Sequence, residues 1–403
     1  MRILVVSPLL PRPPLTGGAL RVFHLVRALA TEHEVTLLAS VPWGAIPGEV
    51  REALAPVSVW GVPAGWAPGE APSMRKRLLQ LRSLVSRRSA LFWTFAGELQ
   101  QAVRAVPSAA FDAIQVEYSV LGLLAFPAEV PVVVDAHNLE YRALFRTALY
   151  APWWRRGWLE WDARRVRQDE EAAWRRADLC LATSPVDAAE IARVARRPVA
   201  VVPNGVDLDA YEPADPALAE RDRLVFVGTF RYLPNVDGVQ WFVREVWPRI
   251  RAVRPSAQCS LVGFDPPAAI QELAAVPGIE VVGTVADVRP WLARASVVVV
   301  PLRSGSGTRL KILEAFAIGR PVVSTPVGAE GLAVEDGRHL LVAEDPVRFA
   351  DAVLRLLGDI GLQRSLAAAA RRLVESEYAW QRIGEKLLAS YQALERGRRG
   401  RPT

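Results

Sequence analysis

Short apolar runs rich in β-branched residues alternate along the chain with longer segments in which apolar positions recur every three or four residues. The runs RILVVSP, EVTLLAS, AIQVEY, VPVVVDAH, LCLATS and AVVPNG predict the strands of a first array, with a helix from about Ala19 to Thr31 after the first of them. The rhythm restarts at RLVFVG. There follows a predicted helix from Asn235 to Val253 with Val236, Val239, Val243, Val246 and Ile250 on one stripe, then the runs QCSLVG, IEVVG, SVVVVP and PVVST. Near-continuous apolar strands are the mark of parallel sheets covered on both faces. Two βα arrays in succession therefore predict an α/β protein of two doubly wound, Rossmann-like domains. A length of 403 residues suits two such cores. The expected division is 1–202 and 203–376, with the joint in the turn-rich PNGVDLDAYEPADP between Val202 and Pro216. A last helix over 377–395 is expected to cross back to the N-terminal domain, and 396–403 reads as a basic tail.

Composition narrows this only a little. With 51% apolar and 23% charged residues the chain is an ordinary globular one, and its net charge of +6 favours anionic partners without choosing among them. Cys180 and Cys259 each lie inside an apolar run, which predicts buried thiols in a reducing compartment and excludes a disulfide framework. MRILVVSPLLP reads as a first strand rather than a secretory signal, and Glu129 interrupts the best candidate for a membrane span. The expected location is the cytoplasm, with the inner membrane face as a candidate peripheral surface. Two basic stretches bear on that surface, RKRLLQLRSLVSRR (75–88) and WWRRGWLEWDARRVRQDEEAAWRR (153–176). Both suit solvated amphipathic helices, and both suit an anionic bilayer.

The most informative chemistry lies in 295–331. A strand over Ser296–Pro301 runs into Gly305, Ser306 and Gly307, which let backbone approach a ligand, and then into a helix expected over Thr308–Ile318. Ser306 or Thr308 is the expected N-cap and Gly319 the stop. The helix start, with its unpaired N–H groups, suits a diphosphate. Lys311 and Glu314 share one helical face while Leu310, Leu313 and Ala317 face the core. The lysine suits phosphate oxygens and the carboxylate sugar hydroxyls. The same strand, loop and helix also occur in βαβ units that bind nothing.

Other candidates stand at predicted carboxyl ends of strands, where open α/β sheets bind ligands. They are Gly17, Gly18 and Arg21 in and after the loop PRPPLTGG, His137 with Asn138 after VPVVVDAH, and Gly228 with Arg231 after RLVFVG. Three such loops are expected to face one cleft. A lone histidine at a strand end is more often structural, and that reading of His137 stands beside the functional one. His24, His33 and His339 read as helix-face, helix-end and turn residues, and the Asp207-x-Asp209 pair reads as turn chemistry. No acidic or histidine cluster with metal-ligand spacing is legible.

These segments together resemble the retaining, nucleotide-sugar-dependent glycosyltransferases of family 4, which have the GT-B fold. The resemblance runs through the GG loop with RVFHLVRALATEHEVTLL, then VDAHNLEY, VVPNGVD, VGTFRYLPNVDG and VGTVADVRPWLARASVVVVPL, and it is most specific in GTRLKILEAFAIGRPVVSTPVGAEGL. Its finer flavour is that of sugar transferases in exopolysaccharide and lipid-linked glycan synthesis.

The resemblance implies a nucleotide-diphosphate-sugar donor held by the C-terminal domain and a glycan, lipid-linked or other hydroxyl acceptor held by the N-terminal domain. No cofactor, metal or nucleic acid is implied. Glu314 matches the second glutamate of the family's Glu-x7-Glu motif, whereas the first falls on Ser306, a departure that removes the usual carboxylate contact to the transferred sugar. Arg231 matches one member of the family's cationic pair. The usual lysine is absent near Asn235, so Arg309 or Lys311 is expected to supply the charge. His137 matches the family histidine near the sugar and its phosphate. Donor-side contacts are expected from Gly228, Gly283, Val285, Gly305, Ser306, Gly307, Thr308 and Arg309, and acceptor-side contacts from Gly17, Gly18, Arg21 and Asn138. Catalytic roles fall on His137, Arg231, Lys311 and Glu314. A nucleotide-sugar 2-epimerase of the same fold and a non-catalytic nucleotide-sugar-binding subunit remain as alternatives. A dinucleotide oxidoreductase fares worse, since G-S-G-T-R-L lacks the third glycine and the first βα turn, SPLLPRPPLTGG, has no fingerprint.

Overall fold

The structure is a computed structural model that describes residues 1–11, 17–42, 45–64 and 73–399. Residues 12–16 of the first candidate loop and 400–403 of the basic tail lie outside the described residues, as do the side chains of residues 42, 73, 75–77, 108 and 397–399. One compact unit comprises Met1–Ala148 and Pro152–Asn204 together with the C-terminal helix from Gln381. The other comprises Leu149–Ala151 and Gly205–Trp380.

The first unit carries seven strands: β1 (Arg2–Ser7), β2 (Glu34–Pro42), β3 (Ser58–Ala64), β4 (Ala113–Glu117), β5 (Val132–Ala136), β6 (Leu179–Ala182) and β7 (Val199–Val201). They form one parallel sheet in the order β3-β2-β1-β4-β5-β6-β7. The second unit carries β8 (Arg223–Val227), β9 (Gln258–Val262), β10 (Ile279–Gly283), β11 (Val297–Val300), β12 (Val322–Ser324) and β13 (Leu341–Val342), again all parallel, in the order β10-β9-β8-β11-β12-β13. In each sheet the order reverses beside the first strand, between β1 and β4 and between β8 and β11. Those switch points leave crevices at the carboxyl ends of the strands.

The helices used below are α1 (Gly17–Leu29), α2 (Ser73–Val85), α3 (Trp153–Arg176), α4 (Leu233–Trp241), α5 (Leu310–Ile318) and α6 (Trp380–Arg399). The second sheet is buried on both faces, as its apolar runs require. Leu224, Phe226, Val297 and Val299 pack into one cluster, and their alternate neighbours Val225, Val227, Val298 and Val300 pack into the other.

Some expectations are corrected. The helix expected over 235–253 is α4, then a π-helical turn at Phe242–Val246, then a helix over Trp247–Val253. Pro248 has no N–H to give, and the wide turn just before it absorbs the missing bond. The stripe survives, with Val239, Val243, Val246 and Ile250 all buried. The edge strands β3 and β13 were not foreseen. β3 holds Gly61 and Pro63 and its burial alternates irregularly, while β13 is only two residues long. Cys180 and Cys259 are buried free thiols, and no described helix is long and apolar enough to cross a membrane.

Candidate functional site

In the first unit the site grows from two strand ends. Glu117 closes β4 and Asp135 lies opposite it on β5, so the pleat sends both carboxylates to one buried place. Two adjacent carboxylates without water must be offset by cations. Arg21 of α1 supplies one, donating to both Asp135 oxygens at 2.7 and 2.8 Å and to the Pro203 carbonyl and Asn204 Oδ1 at 3.1 Å. Burial, the largest single influence, would raise the Asp135 carboxyl, but the Arg21 charge, the neighbouring His137 and the hydrogen bonds from Arg21 together outweigh it and hold the group below the usual range. Glu117 is raised instead, by burial and by the Asp135 charge.

His137 follows β5 directly and is buried, its Nε2 lying 2.6 Å from Glu117 Oε2 and 3.7 Å from Asp135 Oδ2. Its Nδ1 has no hydrogen-bond partner among the described residues. Tyr118, with φ at +72°, bends the chain sharply after β4 and stacks its ring on the imidazole at 4.1 Å between centroids. So strained a backbone at a non-glycine residue persists only where surrounding contacts fix it. Gly18 supplies the last wall. A Cβ there would overlap the Tyr118 hydroxyl and lie 3.5 Å from His137 Nδ1. Gly17 is the first residue of α1 and is exposed, and Asn138 is half-buried with its side chain bonded to Glu140.

Folding thus creates a cluster that sequence spacing hides. Ligand atoms of Glu117, Asp135 and His137 lie within 4.8 Å of one another, which corrects the expectation that no acidic or histidine cluster exists. They fit a metal poorly. Arg21 takes both oxygens of Asp135, and Gln115 Nε2 and His137 take one oxygen each of Glu117.

In the second unit Gly228, the 305–309 loop and Lys311 gather at the β8/β11 switch point. Gly305 and Gly307 take φ of +107° and +75°, conformations that an L side chain rarely adopts, and this lets the chain leave β11 and fold back before α5. Neither Ser306 nor Thr308 caps the helix, contrary to expectation. The N-cap is Arg309, whose side chain caps nothing there, and α5 has no acidic residue in its first turn. Ser306, Thr308 and Arg309 are all buried. The Arg309 guanidinium curls back onto the Ser306 carbonyl, and a Cβ on Gly305 would meet it at 2.9 Å and the Tyr232 hydroxyl at 2.6 Å. Gly319 ends the helix in the left-handed conformation, as predicted.

Lys311 reaches back across the crevice. Its Nζ donates to Asn235 Oδ1 at 2.9 Å, lies 4.2 Å from the centre of the Phe226 ring, and is the atom that a Cβ on Gly228 would meet at 2.5 Å. Its stem keeps some exposure, but the ammonium is enclosed. Burial foremost, helped by the Arg309 charge and opposed by Glu314, lowers its pKa to about 7. Glu314 accepts from the Tyr211 hydroxyl at 3.2 Å, and burial raises its pKa against the pull of that bond and of Lys311. Arg231 is exposed and pairs with Asp265 at 2.8 Å, its guanidinium 4.6 Å from the Phe264 ring. Gly283 ends β10 and accepts the Gly263 N–H, while half-buried Val285 packs against the cluster beneath α5.

Glu117, Tyr118, Asp135, Tyr211 and Asn235 were not among the sequence candidates. The available signal was weak, a polar residue ending an apolar strand in AIQVE and in VVVDA.

Comparison with known proteins bears on the fold and the family. The D-inositol 3-phosphate glycosyltransferase of Frankia alni is 34% identical over 216 residues, 48% of this chain and 53% of that protein. The chain spans about half the length of the curated relatives it matches. Among solved structures, Anabaena HepE in complex with UDP and glucose superposes with a TM-score of 0.65 at 15% identity, covering 97% of this chain and 99% of that one. Sucrose-phosphate synthase of Thermosynechococcus elongatus gives 0.71 at 18%, covering 98% and 100%. These likenesses establish the fold. The family model described as Glycosyltransferase Family 4 matches residues 15–210, and that described as Glycosyl transferases group 1 matches 221–359. Together they leave only the two ends and a short junction unmatched, and the chain belongs to the group 1 glycosyltransferases of family 4.

Proposed function

We propose that the chain is a retaining glycosyltransferase that moves a sugar from a nucleotide-diphosphate sugar to a hydroxyl acceptor. The observation that carries this reading is the α5 start. An uncapped helix N-terminus, a glycine loop, Arg309 and the Lys311 ammonium gather at one switch point, with Glu314 one turn on. That is a cradle for a diphosphate with a carboxylate for donor hydroxyls. The UDP-glucose complex of Anabaena HepE supports a donor of this class.

In the reaction the bond from the anomeric carbon to the diphosphate breaks as the bond to the acceptor oxygen forms on the same face. The acceptor's proton passes to the departing phosphate oxygen, so no protein nucleophile is needed. Amides at the α5 start, Lys311 and Arg309 stabilise the leaving diphosphate, a preorganised contribution of about 3 to 4 kcal/mol per key donor. Arg231 joins them on exchanging Asp265 for phosphate. His137, with Gly17, Gly18 and Asn138, receives the sugar and the acceptor.

The acceptor side suits a glycan or lipid-linked substrate at the inner membrane face, as in cell-surface polysaccharide synthesis. Met74, Leu78, Leu81 and Val85 form an exposed stripe at helical spacing on α2, whose sequence carries four basic residues and no acidic one. Trp153 and Trp154 at the start of α3 are exposed at 87% and 65%. Such a face matches an anionic bilayer surface.

A thermal-shift screen of UDP-, GDP- and dTDP-sugars tests the donor reading. A true donor at 100 times its Kd stabilises by about 2.7 kcal/mol. No shift with any of them removes it.

A further inference from the structure

A chain of hydrogen bonds runs from the C-terminal helix to His137. The Tyr391 hydroxyl on α6 lies 2.7 Å from Gln115 Oε1, Gln115 Nε2 lies 2.6 Å from Glu117 Oε1, and Glu117 Oε2 lies 2.6 Å from His137 Nε2. All four side chains are buried.

The direction of each bond follows from which atoms hold protons. Tyr391 donates to the amide oxygen of Gln115, and that leaves the Gln115 amide nitrogen facing Glu117, where it can only donate. Glu117 thus already accepts at one oxygen. The chain continues in one sense when its other oxygen accepts from the imidazole, and hydrogen bonds aligned head to tail strengthen one another. The proton on His137 is then fixed on Nε2. The lone pair left on Nδ1 points toward Gly18 at the start of α1, where no described residue meets it.

We propose that Glu117 is a positioning residue that locks His137 in the Nε2–H form, so that Nδ1 serves as a hydrogen-bond acceptor for a hydroxyl of the bound sugar or acceptor. Tyr118 and Gln115 complete the mount. The stacked Tyr118 ring fixes the imidazole plane, and Gln115 fixes the carboxylate. A neutral histidine so held cannot donate from Nδ1 to a phosphate oxygen, so the proposal assigns it a hydroxyl as ligand and the diphosphate to the second unit. This inference rests on the reading of His137 as a substrate contact.

The test uses the full chain labelled with 15N-histidine. Four histidines are present, and the His137 signals are assigned by their loss in His137→Asn. The wild type is expected to show the Nε2–H tautomer at His137. Glu117→Gln is expected to populate the Nδ1–H form and to lower kcat about 10- to 100-fold, the usual cost of removing the partner that orients a functional histidine. Donor Kd should change far less than kcat, as the diphosphate that anchors the donor is assigned to the second unit. If Glu117→Gln does not fold, Tyr391→Phe removes only the far hydroxyl and should shift the tautomer population the same way by a smaller amount. A wild-type His137 protonated on Nδ1, or a tautomer untouched by either variant, overturns the proposal. Transfer at the wild-type rate by His137→Ala would instead remove His137 from the reaction while leaving the tautomer result standing.

Discussion

At the residue scale the account turns on Lys311. In the proposed reading its ammonium meets phosphate, whereas in this structure an amide oxygen, a π face and a carboxylate one turn away favour its charged form. Its pKa near 7 gives donor binding a pH dependence of known sign. Below about pH 7 the ammonium is charged and the diphosphate binds it directly. Above that, binding must draw a proton from solvent, so affinity should fall with rising pH by up to about tenfold per unit. Calorimetry across pH 6 to 9 should show the fall, and Lys311→Arg, which stays charged, should flatten it. A flat wild-type profile would mean that Lys311 does not meet the phosphates. The departure at Ser306 makes a second comparison. A charge-assisted contact is roughly twice as strong as a neutral one, so Lys311→Ala should raise donor Kd more than Ser306→Ala does. A larger effect at Ser306 would overturn the charge balance argued for the loop.

At the element scale, the strand-loop-helix over 295–319 was legible because each feature has a local cause: a valine run, two glycines and a left-handed stop. The N-cap was not. Whether Ser306, Thr308 or Arg309 takes that position depends on the guanidinium folding back onto the loop, which is a tertiary event. The same holds in the first unit, where nothing local in AIQVE tells that Glu117 will face Asp135 across a parallel register. Gly307→Ala tests the loop, since its φ of +75° should cost a side chain about 1 to 2 kcal/mol and donor binding should weaken with it. Full stability and affinity in the variant would show the loop to be adaptable. The α2 stripe gives another expectation. Vesicles of anionic lipid should sediment the protein in low salt, and Leu78→Ser with Leu81→Ser should release it, while neutral vesicles retain little of it. Equal partitioning onto both would leave only a solvated helix.

At the scale of the whole molecule, two parallel sheets each reverse strand order beside their first strand, and most candidate residues stand at carboxyl ends of strands at or next to that reversal, Gly283 and Val285 at the edge strand β10 excepted. Strand ends alone therefore point to the right loops, while partners brought from elsewhere in the chain, such as Asp135 for Arg21, Asn235 for Lys311 and Tyr211 for Glu314, become visible only in the fold. Because the acidic cluster is occupied by protein donors, transfer should survive EDTA. Loss of activity in chelator, restored by Mg²⁺ or Mn²⁺, would require a metal-assisted leaving group instead. The most direct test of the central claim is the rate of sugar transfer from the donor found by the thermal screen, in the wild type and in Glu314→Gln. The account predicts transfer by the wild type and near-complete loss, with weakened donor binding, in a variant that melts at the same temperature. Wild-type transfer by the folded variant, or no transfer from any nucleotide-sugar by the wild type, would contradict it.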